Sequence, residues 1–256
     1  MSLKNQHIII TGGGSGIGQA IAIHTAQKGA KITILARNET NMKKVVSHIQ
    51  EQGGDAQYFY CDVQDKENID QAFKAAVDTF GPLRSVIANS GIGGSNFDGE
   101  NDRFDKIIQV NLAGAYYTFR AGQRNLIQDE KPRQLVAVSS CLARFGVPGY
   151  SAYCASKAGI LGMVRALAME LAKHNIQVNA VCPGWVNTQM ARDGIQEMAA
   201  TIKRPYEDAY KASMNAVPLG RMSEPEEVAS LVSWLLTDGH SMTGQGLDIN
   251  GGSWMG

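Results

Sequence analysis

Residues 11–18 read Thr-Gly-Gly-Gly-Ser-Gly-Ile-Gly, and this stretch decides how the rest of the chain is interpreted. It follows an apolar run at residues 7–10 and precedes an amphipathic segment at residues 17–28, so it is predicted to join a first strand to a first helix. Gly12 permits a tight turn, Gly16 lets the backbone come close to a ligand, and Gly18 lets the helix pack against the strand. The spacing TGxxxGxG is more discriminating than an isolated glycine pattern.

Short apolar runs alternate with longer amphipathic segments along the rest of the chain. Strands are predicted at residues 7–10, 31–35, 56–60, 85–88, 134–138, 177–181 and 246–249, and helices at 17–28, 42–52, 69–80, 103–127, 153–174 and 226–236. Strands that are short and apolar on both faces fit a parallel sheet covered by helices. The sequence therefore predicts an α/β fold, a Rossmann-like doubly wound parallel sheet of about seven strands with helices on both faces.

No shift in composition marks a second domain, so residues 1–256 are predicted to form a single one. The irregular stretch is residues 187–216, which is rich in Met and Ala and interrupts the alternation after the sixth predicted strand. An insertion there lies on the carboxyl side of the sheet, where ligands bind in open α/β folds. We expect a substrate lid, and a permanently docked helical hairpin is the alternative.

Composition and charge exclude several classes of function. Lys plus Arg number 24 and Asp plus Glu number 24, whereas nucleic-acid binders carry a basic excess. No apolar run is long enough to span a bilayer, and the polar N-terminus is not a signal peptide, so we expect a cytoplasmic protein without a membrane partner. The four cysteines lie far apart without metal-ligand spacing, which favours free thiols and no metal site: Cys61, Cys141, Cys154 and Cys182.

The helix that follows the glycine-rich turn suits a dinucleotide. Its N-terminus offers free N–H groups and the positive end of the helix dipole to a pyrophosphate. The second strand ends at Leu35, and Ala36 leaves empty the position where a carboxylate would bind the ribose hydroxyls. Arg37 next to it can pair with a 2′-phosphate. NADP(H) is therefore favoured, although Glu39 could take the ribose and NAD(H) stays possible.

A second group of polar residues suggests proton transfer. Tyr153 and Lys157 lie four apart in a predicted helix and so share one face. An ammonium beside a phenol favours the phenolate and brings the tyrosine pKa toward neutrality, where it can exchange a proton with an alcohol. Ser140 follows a predicted strand at its carboxyl end and can orient a substrate oxygen. Asn111 lies within a helix, where asparagine is disfavoured and commonly holds a water or a backbone carbonyl.

Together these residues resemble the short-chain dehydrogenase/reductase family, in its compact single-domain branch, over essentially the whole chain. Residues 11–18 match TGxxxGxG, and residues 61–63 match the segment that meets the adenine ring. Residues 89–91 match the NAG motif, with Ser90 where alanine is usual. Residues 140–157 match S-x12-Y-x3-K, whose spacing selects Ser140 over Ser139, and residues 183–188 match PGxxxT.

The resemblance implies a catalytic set of Asn111, Ser140, Tyr153 and Lys157. In that mechanism Tyr153 exchanges the proton and Ser140 holds the substrate oxygen, while Lys157 lowers the tyrosine pKa and binds the nicotinamide ribose. Asn111 holds a water that extends a proton relay. The implied cofactor site comprises Gly12, Ser15, Gly16, Ile17, Gly18, Arg37, Asp62, Val63, Asn89, Gly91, Tyr153, Lys157, Pro183, Gly184, Val186 and Thr188.

The expected substrate pocket is mostly apolar, with Cys141, Leu142, Tyr150, Trp185 and Met190 as its lining. Such a lining fits a medium-sized apolar or acyl ketone better than a sugar. The region from residue 178 through the insertion is similar to 3-oxoacyl-thioester and polyketide ketoreductases. Basic residues of the insertion could meet the phosphates of a CoA or carrier-protein arm, or simply form a solvated helix face: Arg192, Lys203 and Arg204.

We therefore expect an oxidoreductase that moves a hydride between NADP(H) and a ketone or secondary alcohol. An NAD-dependent alcohol or hydroxyacyl dehydrogenase working oxidatively is the alternative. A non-catalytic dinucleotide sensor is a remote one, because such a protein would typically have lost Tyr153 or Lys157. A symmetric homo-oligomer is also expected, a tetramer by resemblance, since two helices carry small residues on several faces: Ala113, Gly114, Ala115, Ala158, Gly162, Ala166 and Ala168.

Overall fold

The computed structural model describes residues 2–256, in which strands and helices alternate. The strands are β1 His7–Thr11, β2 Lys31–Ala36, β3 Ala56–Tyr60, β4 Ser85–Ala88, β5 Arg133–Val138, β6 Ile176–Pro183 and β7 Gly246–Ile249. The helices are α1 Gly16–Gln27, α2 Glu39–Glu51, α3 Lys66–Phe80, α4 Phe104–Ile108, α5 Gly114–Asn125, α6 Ser151–Leu171, α7 Gln189–Ile202, α8 Tyr206–Asn215 and α9 Pro225–Thr237. Short 3₁₀ turns occupy Cys141–Ala143 and Ala172–His174.

All seven strands pair in parallel in the order β3-β2-β1-β4-β5-β6-β7, so the predicted doubly wound sheet is confirmed. The chain builds outward from β1 to β3, then returns to place β4 on the other side of β1. The two connections that leave β1 and β4 therefore diverge at their carboxyl ends and open a crevice between them. Every functional segment discussed below lies at this edge of the sheet.

Successive side chains of a strand point to opposite faces, and β1 shows this directly. Ile8 and Ile10 pack in one core with α1, α2 and α9, whereas Ile9 packs in the other with α3, α5 and α6. Both faces of the central strands are consequently buried. This is why the strands read as continuous apolar runs in the sequence.

Several helices begin earlier than predicted. The helix predicted from residue 42 begins at Glu39, because the side chain of Asn38 accepts a hydrogen bond from the Asn41 N–H at 3.0 Å. The helix predicted from residue 69 begins at Lys66, where Asp65 caps two N–H groups. Apolar periodicity detects the first buried residue of a helix and misses a polar, capped first turn.

The helix predicted over residues 103–127 is interrupted. A π-helical turn, Gln109–Ala113, separates α4 from α5 and contains Asn111. Some of the small residues assigned to an oligomer surface were wrongly placed, since Gly114, Ala115 and Ala168 are buried inside the fold. The exposed members of that set lie on α6, at Ala158, Gly162 and Ala166.

The stretch at residues 187–216 is helical. The backbone reverses between α7 and α8 at Lys203, whose φ of 53° is left-handed. The two helices enclose a small apolar cluster of their own, separate from the two cores beside the sheet: Ala191, Ile195, Ala199, Ala209, Met214, Val217 and Met222. Along residues 2–256, each helix is too short or too polar to cross a bilayer.

His7 lies at the start of β1, where its buried ring forms hydrogen bonds to β2 and to the turn after α3. Its Nδ1 donates to the carbonyl oxygen of Gly81 at 2.7 Å, which leaves Nε2 to accept from the Thr33 hydroxyl at 2.8 Å. Burial lowers the pKa of His7 to about 4, with the Gly81 bond opposing this and Lys31 adding to it. The fold therefore selects the neutral ring.

This pKa predicts a specific acid sensitivity. The folded pKa lies below the unfolded value, so the stabilisation is present above pH 6.5 and is lost as the pH falls from 6.5 toward 4. Over that interval the free energy of unfolding should drop by about 3 kcal/mol more in the wild type than in His7→Gln, which cannot titrate. Urea unfolding of both proteins at each pH measures this, and parallel stability curves would contradict the prediction.

Candidate active site

The glycine-rich turn is held from across the crevice by Asn89, the first residue after β4. Its side-chain amide donates to the carbonyl oxygens of Thr11 and Gly12, both at 3.1 Å. The hydroxyl of Thr11 in turn accepts from the N–H groups of Asn89 and Ser90 at 3.2 and 3.3 Å. A Cβ on Gly18 would lie 2.4 Å from the Asn89 amide nitrogen, so this packing requires glycine.

The N-terminus of α1 has the features of an anion site. Ser15 makes no side-chain capping bond, and the first turn of the helix contains no acidic residue. Gly16 has a φ of 53°, and a Cβ there would lie 3.1 Å from the methyl carbon of Thr188. The helix end therefore faces the start of α7 across a narrow gap that a side chain would fill. N–H groups and a positive dipole end directed into such a gap suit a phosphate.

Arg37 and Asp62 lie together at the carboxyl ends of β2 and β3. Their side chains form a loose ion pair of 3.9 Å, in which the Arg37 side chain is 55% exposed. An exposed guanidinium can exchange this weak contact for a stronger one with a phosphate. Glu39 is instead engaged by the Tyr58 hydroxyl, which donates to it at 3.4 Å.

Tyr153 and Lys157 share one face of α6, as predicted from their spacing. The Lys157 ammonium lies 5.5 Å from the centre of the Tyr153 ring and donates to the Val138 carbonyl oxygen at 2.9 Å. Lys157 is only 5% exposed, and Tyr153 as a residue is half-buried. The lysine is thus fixed between the end of β5 and the tyrosine.

Burial dominates the pKa values of both groups. It raises the pKa of Tyr153 to about 12, although a hydrogen bond from Ser140 works in the opposite direction. It lowers the pKa of Lys157 to about 8, with Cys182 opposing. The expected lowering of the tyrosine pKa by Lys157 is absent here, because removal from water favours the neutral form of each group. At neutral pH Tyr153 therefore carries its proton.

Two adjacent serines follow β5, and the structure gives them different contacts. The Ser139 hydroxyl is buried and donates to the backbone carbonyl of Lys157 at 2.9 Å. The Ser140 hydroxyl accepts from the Leu142 N–H at 3.1 Å and lies within hydrogen-bonding reach of Tyr153. Only Ser140 is placed to share a ligand oxygen with the phenol.

Asn111 is fully buried in the π-helical turn, and its amide is committed to protein groups. It accepts from the Ile92 N–H at 2.8 Å and donates to the Ile92 carbonyl at 3.0 Å and to the Ser156 hydroxyl at 3.2 Å. A Cβ on Gly91 would lie 3.3 Å from its amide oxygen and 3.6 Å from the Lys157 ammonium. Asn111 thus fixes the loop after β4 beside Lys157, and the proposed relay water stays a prediction.

Not every predicted cofactor residue directs its side chain into the crevice. Val63 and Val186 are buried, and Val63 packs against Gly114, so only their backbones can face a ligand. Gly184 follows Pro183 at the end of β6, where a Cβ would lie 2.9 Å from the backbone of Asn250. The remaining member, Ile17, is half-buried and packs beside the core under α1.

The predicted substrate residues divide between the crevice and the hairpin. Tyr150 is half-buried just before α6, and Met190 lies against the loop after β4, where a Cβ on Gly93 would contact it at 3.3 Å. Trp185 packs with the apolar cluster of α7 and α8, whereas Cys141 is buried and Leu142 is half-buried.

The basic residues of the hairpin are consistent with a solvated face. Arg192 donates to the Asn187 side chain at 2.8 Å. Lys203 and Arg204 are exposed at the tip of the hairpin.

Sequence reasoning missed three residues that join the hairpin and α6 to the loop after β4. Ser95 donates to the carboxylate of Glu197 on α7, and Glu197 also helps raise the pKa of Tyr150, after burial. Asn96 binds the first turn of α6 through its side chain. These are contacts between segments distant in sequence, so no local spacing pattern could have indicated them.

Comparisons with known proteins agree with this geometry. A family profile described as enoyl-(acyl carrier protein) reductase matches residues 12–253. A 3-oxoacyl-[acyl-carrier-protein] reductase of Thermotoga maritima is 33% identical over 98% of this chain and 99% of that protein. A 2-(S)-hydroxypropyl-CoM dehydrogenase of Xanthobacter autotrophicus is 32% identical over 98% of this chain and 97% of that protein.

A solved structure extends the likeness to the whole architecture. A variant of actinorhodin polyketide ketoreductase with NADPH superposes with a TM-score of 0.90 at 30% identity, covering 99% of both chains. The chain belongs to the short-chain dehydrogenase/reductase family. The predicted family and its oxidoreductase chemistry are confirmed, and ketoreductases are among the relatives.

Proposed function

We propose that this short-chain dehydrogenase/reductase reduces an apolar or acyl ketone to a secondary alcohol with NADP(H). The observation that carries the proposal is the neutral, partly enclosed phenol of Tyr153 beside Ser140 and Lys157, at the mouth of a glycine-lined crevice. A group that is protonated at neutral pH is ready to donate a proton to a developing alkoxide. When bound, the reduced nicotinamide supplies a hydride to the carbonyl carbon.

The chain's own residues fit such a dinucleotide. The uncapped N-terminus of α1 would hold the pyrophosphate, and Arg37 the 2′-phosphate. Asp62 lies beside Arg37, where its carboxylate could accept from the adenine amino group. Lys157, mostly protonated below pH 8, would bind the nicotinamide ribose and also place a positive charge beside the phenol.

The protein residues then have separable tasks. Ser140 would donate to the substrate carbonyl oxygen and hold it next to the Tyr153 hydroxyl, which gives its proton to that oxygen as the alcohol forms. The resulting phenolate is stabilised by the nearby ammonium, while Ser140 continues to donate to the oxygen of the alcohol. Asn111 would hold the loop at Gly91 next to Lys157. Return of the proton through a water beyond Asn111 is part of this proposal.

The substrate class follows from the lining and from the relatives. Tyr150, Leu142 and Met190 offer apolar or weakly polar surface, which favours a hydrocarbon or acyl group over a sugar. The 3-oxoacyl-[acyl-carrier-protein] reductase named above acts on an acyl-carrier-linked ketone by its name, so a thioester-linked ketone is included in the proposal. The dehydrogenase among the relatives makes NAD-dependent oxidation of an alcohol the second candidate, for which Glu39 would bind the ribose.

The decisive test is turnover of a ketone panel with both cofactors, followed by the absorbance of the reduced nicotinamide. Tyr153→Phe should lower kcat/KM by at least about two orders of magnitude, because it removes the proton donor and leaves the ring in place. NADPH affinity should change little, since the hydroxyl is not its main anchor. Tyr116→Phe, the same change at an exposed tyrosine of α5, is the matched control. If the Tyr153→Phe variant retains more than a tenth of the wild-type rate, the assignment is refuted.

Arg37 tests the cofactor preference. Arg37→Ala should weaken NADPH by about 1.5–3 kcal/mol, the range for hydrogen bonds to a charged group, while NADH affinity stays nearly constant. Fluorescence titration of each cofactor measures both constants. Lys43→Ala, on the exposed face of α2, controls for a general change in surface charge. Equal losses for the two dinucleotides would assign Arg37 a structural role and favour the NAD alternative.

We also propose that α7 and α8 act as a lid over the substrate, within a single domain. The hairpin has its own apolar cluster and meets the loop after β4 through Met190 and through the Ser95–Glu197 hydrogen bond. A unit with few ties to the main cores can open without disturbing them.

Opening should be visible in amide hydrogen exchange. Residues 195–213 should exchange faster in Glu197→Ala than in the wild type and slowest with cofactor plus ketone bound, because the ligand adds contacts that only the closed hairpin makes. Glu207→Ala, on the exposed side of α8, serves as the control. Exchange that is slow in every state would identify a permanently docked hairpin.

We further propose that the protein is a cytoplasmic homo-oligomer, a tetramer by family resemblance. The exposed face of α6 supports this, because Ala158, Gly162 and Ala166 lie in line with Met169, which is 85% exposed. Small residues let two such helices approach closely, and the exposed apolar side chain would be covered. The four free cysteines suit a reducing compartment.

A further inference from the structure

The first turn of α6 carries Tyr153 but lacks a cap of its own. The residue before the helix, Tyr150, makes no side-chain capping bond, and the first turn contains no acidic side chain. The leading N–H groups of a helix have no partner within the helix and must find one elsewhere. Tyr153 is the third residue of this helix, so any fraying of the first turn would move it directly.

Asn96 supplies the missing cap from the loop after β4. Its side-chain oxygen accepts from the Ala152 N–H at 2.9 Å, and its amide group exchanges hydrogen bonds with the Ser151 hydroxyl at 3.1 and 3.2 Å. Its backbone N–H donates to the Gly149 carbonyl at 2.7 Å. With an exposure of 9%, the amide is sheltered from competing water.

The same loop is attached to the other side of the site. Asn111 binds both backbone groups of Ile92, four residues before Asn96. The far end is tied by the Asp102 carboxylate, which accepts from Asn96 at 3.4 Å and from the Phe104 N–H at 3.0 Å, at the start of α4. The loop therefore connects the helix that carries Asn111 to the helix that carries Tyr153.

We propose that Asn96 is a positioning residue for the reaction, which sets the first turn of α6 and thereby the distance of the Tyr153 hydroxyl from Ser140. The proposal rests on the proposed function, in which that distance determines proton transfer. Reaction rates are sensitive to misplacement of a reacting group by about 1 Å, whereas the phosphate contacts proposed for α1 and Arg37 lie on other elements. Asn96 touches no reacting atom, so its effect should appear in kcat.

Three variants of Asn96 distinguish the effect of where its polar group lies from the effect of its polarity and from a general loss of folding. Asn96→Ala removes the cap and should lower kcat about tenfold or more, with KM for NADPH within about twofold of wild type. Asn96→Asp is made in an Asp102→Asn background, because Asp102 otherwise lies 3.4 Å from the replaced amide nitrogen and two carboxylates would repel each other. It keeps an oxygen that can accept from Ala152 and is favoured by the helix dipole, so it should restore most of kcat. Asn96→Gln keeps the amide but displaces it by one methylene group, so it should lower kcat as much as Asn96→Ala does. It provides the test of placement in case Asn96→Ala folds poorly.

A readout independent of turnover accompanies the kinetics. Amide exchange at Ala152 and Tyr153 should be faster in Asn96→Ala and Asn96→Gln and return to wild-type rates in Asn96→Asp. Asn101→Ala, an exposed change in the same loop, should alter neither quantity.

Three results would overturn the proposal, and they can be told apart. If the wild type reduces ketones and Asn96→Ala matches its kcat and its exchange, the positioning role is wrong and the reductase function stands. Equal loss in Asn96→Asp and Asn96→Ala would likewise reject the capping contact. If the wild type turns over no ketone and no alcohol, the proposed function itself is wrong, and the role of Asn96 in it falls with it.

Discussion

The amide of Asn89 donates to two carbonyl oxygens of the glycine-rich turn, and the geometry of the crevice depends on this contact. It fixes the end of β1 against the end of β4, which are the two strands where the winding of the sheet reverses. Gly18 makes the approach possible, since a side chain would lie 2.4 Å from that amide. The Asn89 contact thereby positions both the first turn of α1 and the loop after β4.

On the other side of the crevice, burial in a medium of low dielectric determines the pKa values of the reacting groups more than any single neighbouring charge does. Burial moves the pKa values of Tyr153 and Lys157 in opposite directions, and in both cases toward the neutral form. The tyrosine becomes a weaker acid and the lysine a weaker base. Donation of a proton by Tyr153 is costly in isolation, so it must be coupled to the formation of charge on an oxygen held at Ser140.

The sequence was informative wherever function depends on spacing along the chain. The turn at residues 11–18, the four-residue interval from Tyr153 to Lys157 and the position of Ser140 after a strand could all be recognised, because each is a local pattern. The caps at Asn38 and Asp65 were missed since polar first turns carry no apolar periodicity. The bridges made by Asn96 and Glu197 join segments that are 56 and 102 residues from their partners, and only the folded chain brings these together.

The π-helical turn between α4 and α5 contributes something beyond the placement of Asn111. One additional residue in a turn rotates everything that follows by about 100° relative to an uninterrupted α-helix. The two halves of what is one continuous rod thereby address different neighbours, α4 packing on α6 and α5 on α3. Deleting one residue from Gln109–Ala113 would restore ordinary winding and force one half to lose its partner. The π-helical turn thus changes the direction in which the following side chains point, so that α4 contacts the helix that carries Tyr153 and α5 contacts the structural core.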